Sequence, residues 1–157
     1  MFGRYEAYER WVPLLLRLGV GLTFFFSGLG KVMGGHAIGF FTSLGIPLPQ
    51  VMGPFVTYLE LIGGLLLIVG LFTRPVALLL IGVMLVAMLT VNIGGVMEEG
   101  LPGGFSNIRT EFLLLLGSAS LVILGGGLLS LDEAFFGDRR GAAREGVRTS
   151  GARSYDT

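Results

Sequence analysis

Apolar residues gather into four stretches of about twenty residues each, roughly 12–34, 51–72, 75–97 and 111–130. A helix rises about 1.5 Å per residue, so each stretch is long enough to cross a hydrocarbon core of about 30 Å. The pattern predicts an all-α protein, an integral membrane four-helix bundle. Trp11 and Pro13 suit the start of the first span, with an aromatic at the interface and a proline in the first turn. Only Thr73 and Arg74 separate the second and third spans, which makes them an antiparallel hairpin. The fourth ends in Gly125, Gly126 and Gly127, where the helix is expected to fray before Ser130 and Asp132. Between the first two spans, Ala37, Ile38, Phe40, Phe41 and Leu44 form an apolar face that Gly45, Pro47 and Pro49 cut off. That pattern predicts a short interfacial helix, or a lid over the mouth of the bundle. Residues 98–108 read as a mobile, glycine-rich external loop. The predicted organisation is a four-span domain over 1–136 and a disordered cytoplasmic tail over 137–157, whose sequence has almost no apolar period.

Composition sharpens this picture. Hydrophobic residues make up 52% of the 157 and charged residues 14%, well below the share in soluble domains. A soluble Rossmann or barrel enzyme is thereby set aside. Eleven basic and eleven acidic residues cancel, so there is no electrostatic case for a nucleic-acid partner. Cysteine is absent, which removes thiolate chemistry, iron–sulfur ligation and cysteine-based metal sites from this chain. The single histidine, His36, is too little for a bis-histidine haem. No metal site and no intrinsic cofactor are expected. The 27 glycines carry no collagen-like period and read as close helix packing. The first stretch resembles a signal peptide only in length. Glu6 and Glu9 dilute the basic flank and Arg17 interrupts the apolar core, so it reads as a retained span. An even number of spans puts both termini on one side. Arg4, Arg10, Arg74, Arg139, Arg140, Arg144 and Arg148 lie there, against Lys31 and Arg109 opposite. Basic residues mark the cytoplasmic face, so a multi-pass plasma-membrane protein with both ends inside is expected.

The chemistry sits in charges placed inside the bilayer. An exposed mid-helix Arg or acidic residue costs about 2.5–3.5 kcal/mol even on mild insertion scales, so such groups face the bundle interior. Arg17 lies about 9 Å into the first span and Glu60 near the middle of the second. Their depths differ by roughly 7 Å, which predicts an Arg17–Glu60 pair, direct or through water. A second group, Lys31, Asn92 and Glu111, falls near the outer surface, with His36 and Arg109 close by. Arg17, Gly21, Phe24, Gly28 and Lys31 share one helical face; Thr57, Glu60, Gly64 and Leu67 share another. The two faces could bound an elongated cavity with a charged floor and a charged mouth. Against this stands a purely structural role, in which ion pairs fix the register of similar helices. Tyr58, Thr90 and His36 read as packing or surface residues.

Three segments carry a family resemblance. LLLRLGVGLTFFFSGLGKVMG at 14–34 holds Arg17, Gly28 and Lys31; YLELIGGLLLIVGLFTRPVALLL at 58–80 holds Glu60, Gly63, Gly64, Gly70 and Arg74; GGGLLSLDE at 125–133 holds Ser130 and Asp132. With LGIPLPQ at 44–50, this ordered set resembles the DoxX family of small four-helix membrane proteins over most of 12–133. Glu111 fits that pattern less distinctively. The resemblance implies a plasma-membrane protein whose relatives include subunits of quinone-linked oxidoreductases. It implies a membrane quinone as ligand, with Arg17 and Glu60 lining its site, and an electron-transfer centre supplied by another subunit. The candidate cofactor-binding residues are Arg17, Lys31, Glu60, Asn92 and Glu111, with Phe24, Phe25 or Phe26 packing the ring. Three functions stay open. The first is a quinone-interacting or membrane-anchoring subunit whose partners are lipids and a soluble or membrane oxidoreductase. The second is a small-metabolite carrier, working as a homo-oligomer, with Glu98, Glu99 and His36 at its mouth. The third is a structural or assembly protein. The first is preferred on the resemblance.

Overall fold

The structure, a computed structural model, describes residues 11–127 and 129–133, and within it residues 91–107 are described by their backbone alone. The predicted tail lies outside the described residues. The architecture is all-α: α1 (Val12–Gly34), α2 (Ala37–Ser43), α3 (Pro49–Val69) and α4 (Thr73–Leu124). Three helical segments are long and apolar enough to cross a membrane, Val12–Gly34, Pro49–Val69 and Thr73–Thr90.

α1 begins after Trp11 with Pro13 in its first turn, where a missing N–H costs nothing, and ends on Gly35 in the left-handed region. α3 opens on Pro49 and stops earlier than the hydropathy implies, at Val69 rather than residue 72. Gly70 takes φ 72°, its N–H bonds the Leu67 carbonyl and the N–H of Leu71 reaches back to Leu66. This glycine-terminated helix end satisfies carbonyls that the next turn would otherwise have bonded.

The largest departure from expectation is α4. Two spans joined by a loop at 98–108 are predicted, whereas helical backbone runs through that segment without a break. A straight helix of this length would extend about 78 Å. Its ends nevertheless touch, because Arg74 donates from Nη2 to the Ile123 carbonyl at 3.3 Å. α4 therefore folds back on itself, and its two limbs, Thr73–Thr90 and 110–124, stand where the predicted third and fourth spans belong. The core joins Val20 and Phe24 of α1, Leu67 of α3, Val76, Ala77, Leu80 and Met84 of the outgoing limb, and Leu121 of the return limb.

In lipid the hydrophobic effect does not pull helices together, so close packing must do so. The α1–α3 crossing is built on that. A Cβ at Gly28 would lie 2.5 Å from the Leu61 nitrogen, and one at Gly64 would strike the backbone nitrogen of Phe25. Outward, the bundle presents Leu15, Phe26, Leu65, Leu78, Leu89, Leu113 and Ile123, all exposed. Inward it buries Arg17, Thr57, Glu60, Thr73, Ser118 and Ser130. Buried polar groups within an apolar core, beneath an apolar coat, suit contact with lipid.

Candidate functional site

The α1–α3 register separates the two deepest charges. Gly28 lies against Leu61, and Gly21 lies against Gly64 and Ile68. Carried along the antiparallel pair, this puts Arg17 beside Gly70 and Glu60 beside the last turns of α1. Ten residues of helix then lie between the levels of Arg17 and Glu60, about 15 Å. The predicted Arg17–Glu60 pair is thus corrected. Distances measured from span ends could not reveal the offset that glycine contacts impose.

Arg17 works at one end of the bundle. It is 2% exposed, and its Nη1 and Nη2 donate to the carbonyls of Gly126 (3.0 Å) and Leu129 (3.1 Å). These carbonyls belong to the segment after α4, where the glycine run has ended the helix and left acceptors without helical donors. Asp132 completes the clamp. Its carboxylate accepts from the N–H groups of Phe72 (2.7 Å) and Thr73 (2.8 Å), the first turn of α4, and its own N–H donates to the Gly70 carbonyl at 3.0 Å. A carboxylate at a helix N-terminus meets unpaired donors and the positive end of the dipole. A Cβ at Gly70 would collide with the Arg17 guanidinium and the Ser130 side chain. Arg17, Gly70, Ser130 and Asp132 thus form one polar knot joining all the long elements.

Lys31 and Glu60 meet toward the other end. Lys31 Nζ lies 2.5 Å from Glu60 Oε2, and Ser27 donates to the same oxygen at 3.2 Å. Lys31 and Ser27 stand one helical turn apart on α1, so both reach one carboxylate. Glu60 is 4% exposed and Lys31 24%. The pair forms part of the wall of a cavity of about 610 Å³. Phe24 of α1, Phe40 and Phe41 of α2, Phe55 of α3, and Val83 and Met84 of α4 supply apolar wall. Glu111, from the return limb, faces the same cavity, and its Oε2 is buried with no hydrogen-bond partner in the structure. The size suits one small organic ligand, and three charges in an apolar wall suit the orienting of a polar head.

The structure brings together Lys31, Glu60 and Glu111, and places Arg17 outside the cavity. The side chain of Asn92 lies outside the described residues, as do those of Glu98 and Glu99. Of the three phenylalanines, Phe24 lines the cavity while Phe26 points outward, 62% exposed. His36 is exposed at the start of α2, and Arg109 is exposed as well. Sequence reasoning missed Ser27, although its spacing from Lys31 was a usable signal. Of the two readings of the apolar face at 37–44, the lid is the one that matches, since α2 places Phe40 and Phe41 in the cavity wall. Among the described residues no cluster of three or more metal-ligating side chains occurs.

Comparison with known proteins agrees with this architecture. The DoxX family model matches residues 12–93, which spans α1, α2, α3 and the outgoing limb of α4. The Bacillus subtilis (strain 168) protein named "Putative oxidoreductase CatD" is 37% identical over 124 residues, 78% of this chain and 86% of that protein. The Escherichia coli (strain K12) protein named "Inner membrane protein YphA" is 35% identical over 69 residues, 43% of this chain and 49% of that protein. No solved structure matches the chain. With its family model matched through the helices that carry Arg17, Lys31 and Glu60, this membrane protein belongs to the DoxX family.

Proposed function

We propose that this chain is the quinone-binding membrane subunit of an oxidoreductase, with the quinone head group seated against Lys31, Glu60 and Glu111. One observation carries the reading: an apolar cavity among membrane-crossing helices holds a Lys–Glu pair and a second carboxylate with a buried, unpartnered oxygen. A quinone is flat and apolar with carbonyl oxygens at its edge, and it takes up electrons together with protons. The residues fit those needs. The Lys31 ammonium has three donors, and Glu60 Oε2 takes one of them, so others are available to a carbonyl oxygen. Glu60 and Glu111 can each hold a proton and pass it to an oxygen held by Lys31. Phe24, Phe40 and Phe41 offer ring faces and keep water out. The electron donor is assigned to a partner, since this chain has no cysteine and one histidine. The name of the Bacillus relative supports an oxidoreductase setting.

The test is binding rather than turnover. The full chain in lipid nanodiscs is titrated with a tail-less benzoquinone or naphthoquinone. Lys31→Met alone would leave Glu60 buried and unpaired, which costs about 3–5 kcal/mol and threatens the fold. The double variant Lys31→Met/Glu60→Gln removes both charges together. It is expected to remain folded and to bind at least about tenfold more weakly, the loss of one charge-assisted hydrogen bond. Unchanged affinity in the folded double variant, or no binding by the wild type, sinks the proposal.

A further inference from the structure

A second hollow, about 570 Å³, lies between α1 and the return limb of α4. Leu15, Gly19 and Thr23 wall it on one side, and Leu113, Leu114 and Gly117 on the other. Leu15 and Leu113 are both about two-thirds exposed, so the groove opens on the face that meets lipid. It carries no charged side chain. The Thr23 hydroxyl donates to the Gly19 carbonyl at 2.8 Å, which turns even that group away from service as a binding donor. Thr23, Thr110 and Leu114 belong to both the groove and the charged cavity, so the two spaces adjoin through a shared wall.

We infer that this groove seats the hydrocarbon tail of the ligand whose head occupies the cavity, the isoprenoid chain of a membrane quinone. The inference rests on the quinone reading above. The cavity is of a size for one small molecule and cannot also enclose a tail of several isoprenoid units, so a tail must leave it. A charged neighbourhood would oppose that exit; the groove offers an uncharged one that begins at the cavity wall and runs along α1 from Thr23 toward Val12. Lipid solvates a hydrocarbon chain about as well as a leucine wall does, so tail contact itself adds little affinity. The groove matters as an opening. Filled, it denies the tail its seat beside the cavity; a tail-less head group is indifferent to it.

Gly19 makes this testable. A Cβ there meets nothing within 4 Å, so a larger side chain can enter the groove without its first carbon striking a neighbouring helix. Gly30 on the same helix is equally open but lines neither space, and serves as control. Wild type, Gly19→Phe and Gly30→Phe are compared in nanodiscs of one lipid composition with a tailed quinone and its tail-less counterpart. Partitioning into lipid is then the same for all three, and the ratio of affinities isolates the protein. Gly19→Phe is expected to bind the tailed quinone at least about tenfold more weakly and the tail-less one unchanged, with Gly30→Phe like wild type in both. If Gly19→Phe binds the tailed quinone as wild type does, the tail assignment falls and the groove is left to the acyl chains of bulk lipid, while the quinone reading stands. Equal weakening toward both quinones places the effect in the cavity and also overturns it. If the wild type binds neither quinone, both readings fall.

Discussion

The depth of Arg17 in the first span suggests a ligand role, and its surroundings argue otherwise. Both terminal nitrogens bond carbonyls of the segment after α4, and the Asp132 carboxylate supplies an opposing charge. A guanidinium can bridge two diverging carbonyls from a planar fork, which an ammonium cannot. Arg17→Met should therefore cost about 2–4 kcal/mol in stability, from two lost charge-assisted bonds and two carbonyls left without donors. Arg17→Lys should recover only part of that. Thermal unfolding in detergent reads the stability, and titration below the unfolding transition reads the cavity. The affinity of the folded fraction for a tail-less quinone should stay unchanged. An affinity loss without a stability loss would return Arg17 to the binding site. The sequence made Arg17 conspicuous because burial is costly there, but it could not name the partner. Its partners are backbone carbonyls of a frayed helix end, which have no identity in a sequence.

Among the elements, legibility followed the capping chemistry. The apolar pattern puts the first span at 12–34 and α1 occupies Val12–Gly34, because Trp11, Pro13 and Gly35 punctuate both ends. The same pattern carries the second three residues past its end, because hydropathy does not register that Gly70 can turn left-handed inside an apolar run. The break near residues 98–108 rests on glycine-rich composition; the chain does fold back, but through helical backbone instead of a loop. The pairing of α1 with α3 was foreshadowed by two correctly drawn faces, since Arg17, Gly21, Phe24 and Gly28 are all buried, as are Thr57, Glu60, Gly64 and Leu67. What could not be read was their offset. Glycines at 21, 28 and 64 fix it, and the offset then decides that Glu60 meets Lys31 rather than Arg17. This gives a prediction for the crossing. In Gly64→Ala the added methyl meets backbone at Phe25 and Gly21, which cannot rotate aside. The helices must separate, at about 1–3 kcal/mol. Gly30→Ala, open on all sides, should be neutral or slightly stabilising. Equal stabilities for the two variants in detergent unfolding would refute the packing account.

The whole molecule has two chemically distinct ends, and that asymmetry bears on how it sits in the bilayer. At one end Asp132 ties the α3–α4 turn to the segment after α4, Arg17 ties α1 to that segment, and Arg74 bonds the last turn of α4. At the other, α2 and the Lys31–Glu60 pair close the cavity. Arg74 lies at the knot end, and Arg4, Arg10, Arg139, Arg140, Arg144 and Arg148 belong to sequence flanking residues at that end. Positive charge near span ends holds them on the cytoplasmic side, so the knot should face inward and α2 outward. With no native cysteine, single introduced thiols report this without background. His36 and Glu133 are exposed and lie at opposite ends. In intact cells a membrane-impermeant maleimide should label His36→Cys at once, and Glu133→Cys only after permeabilisation. The reverse pattern would invert the molecule. The cavity beneath α2 would then lie nearer the cytoplasm than the outer face.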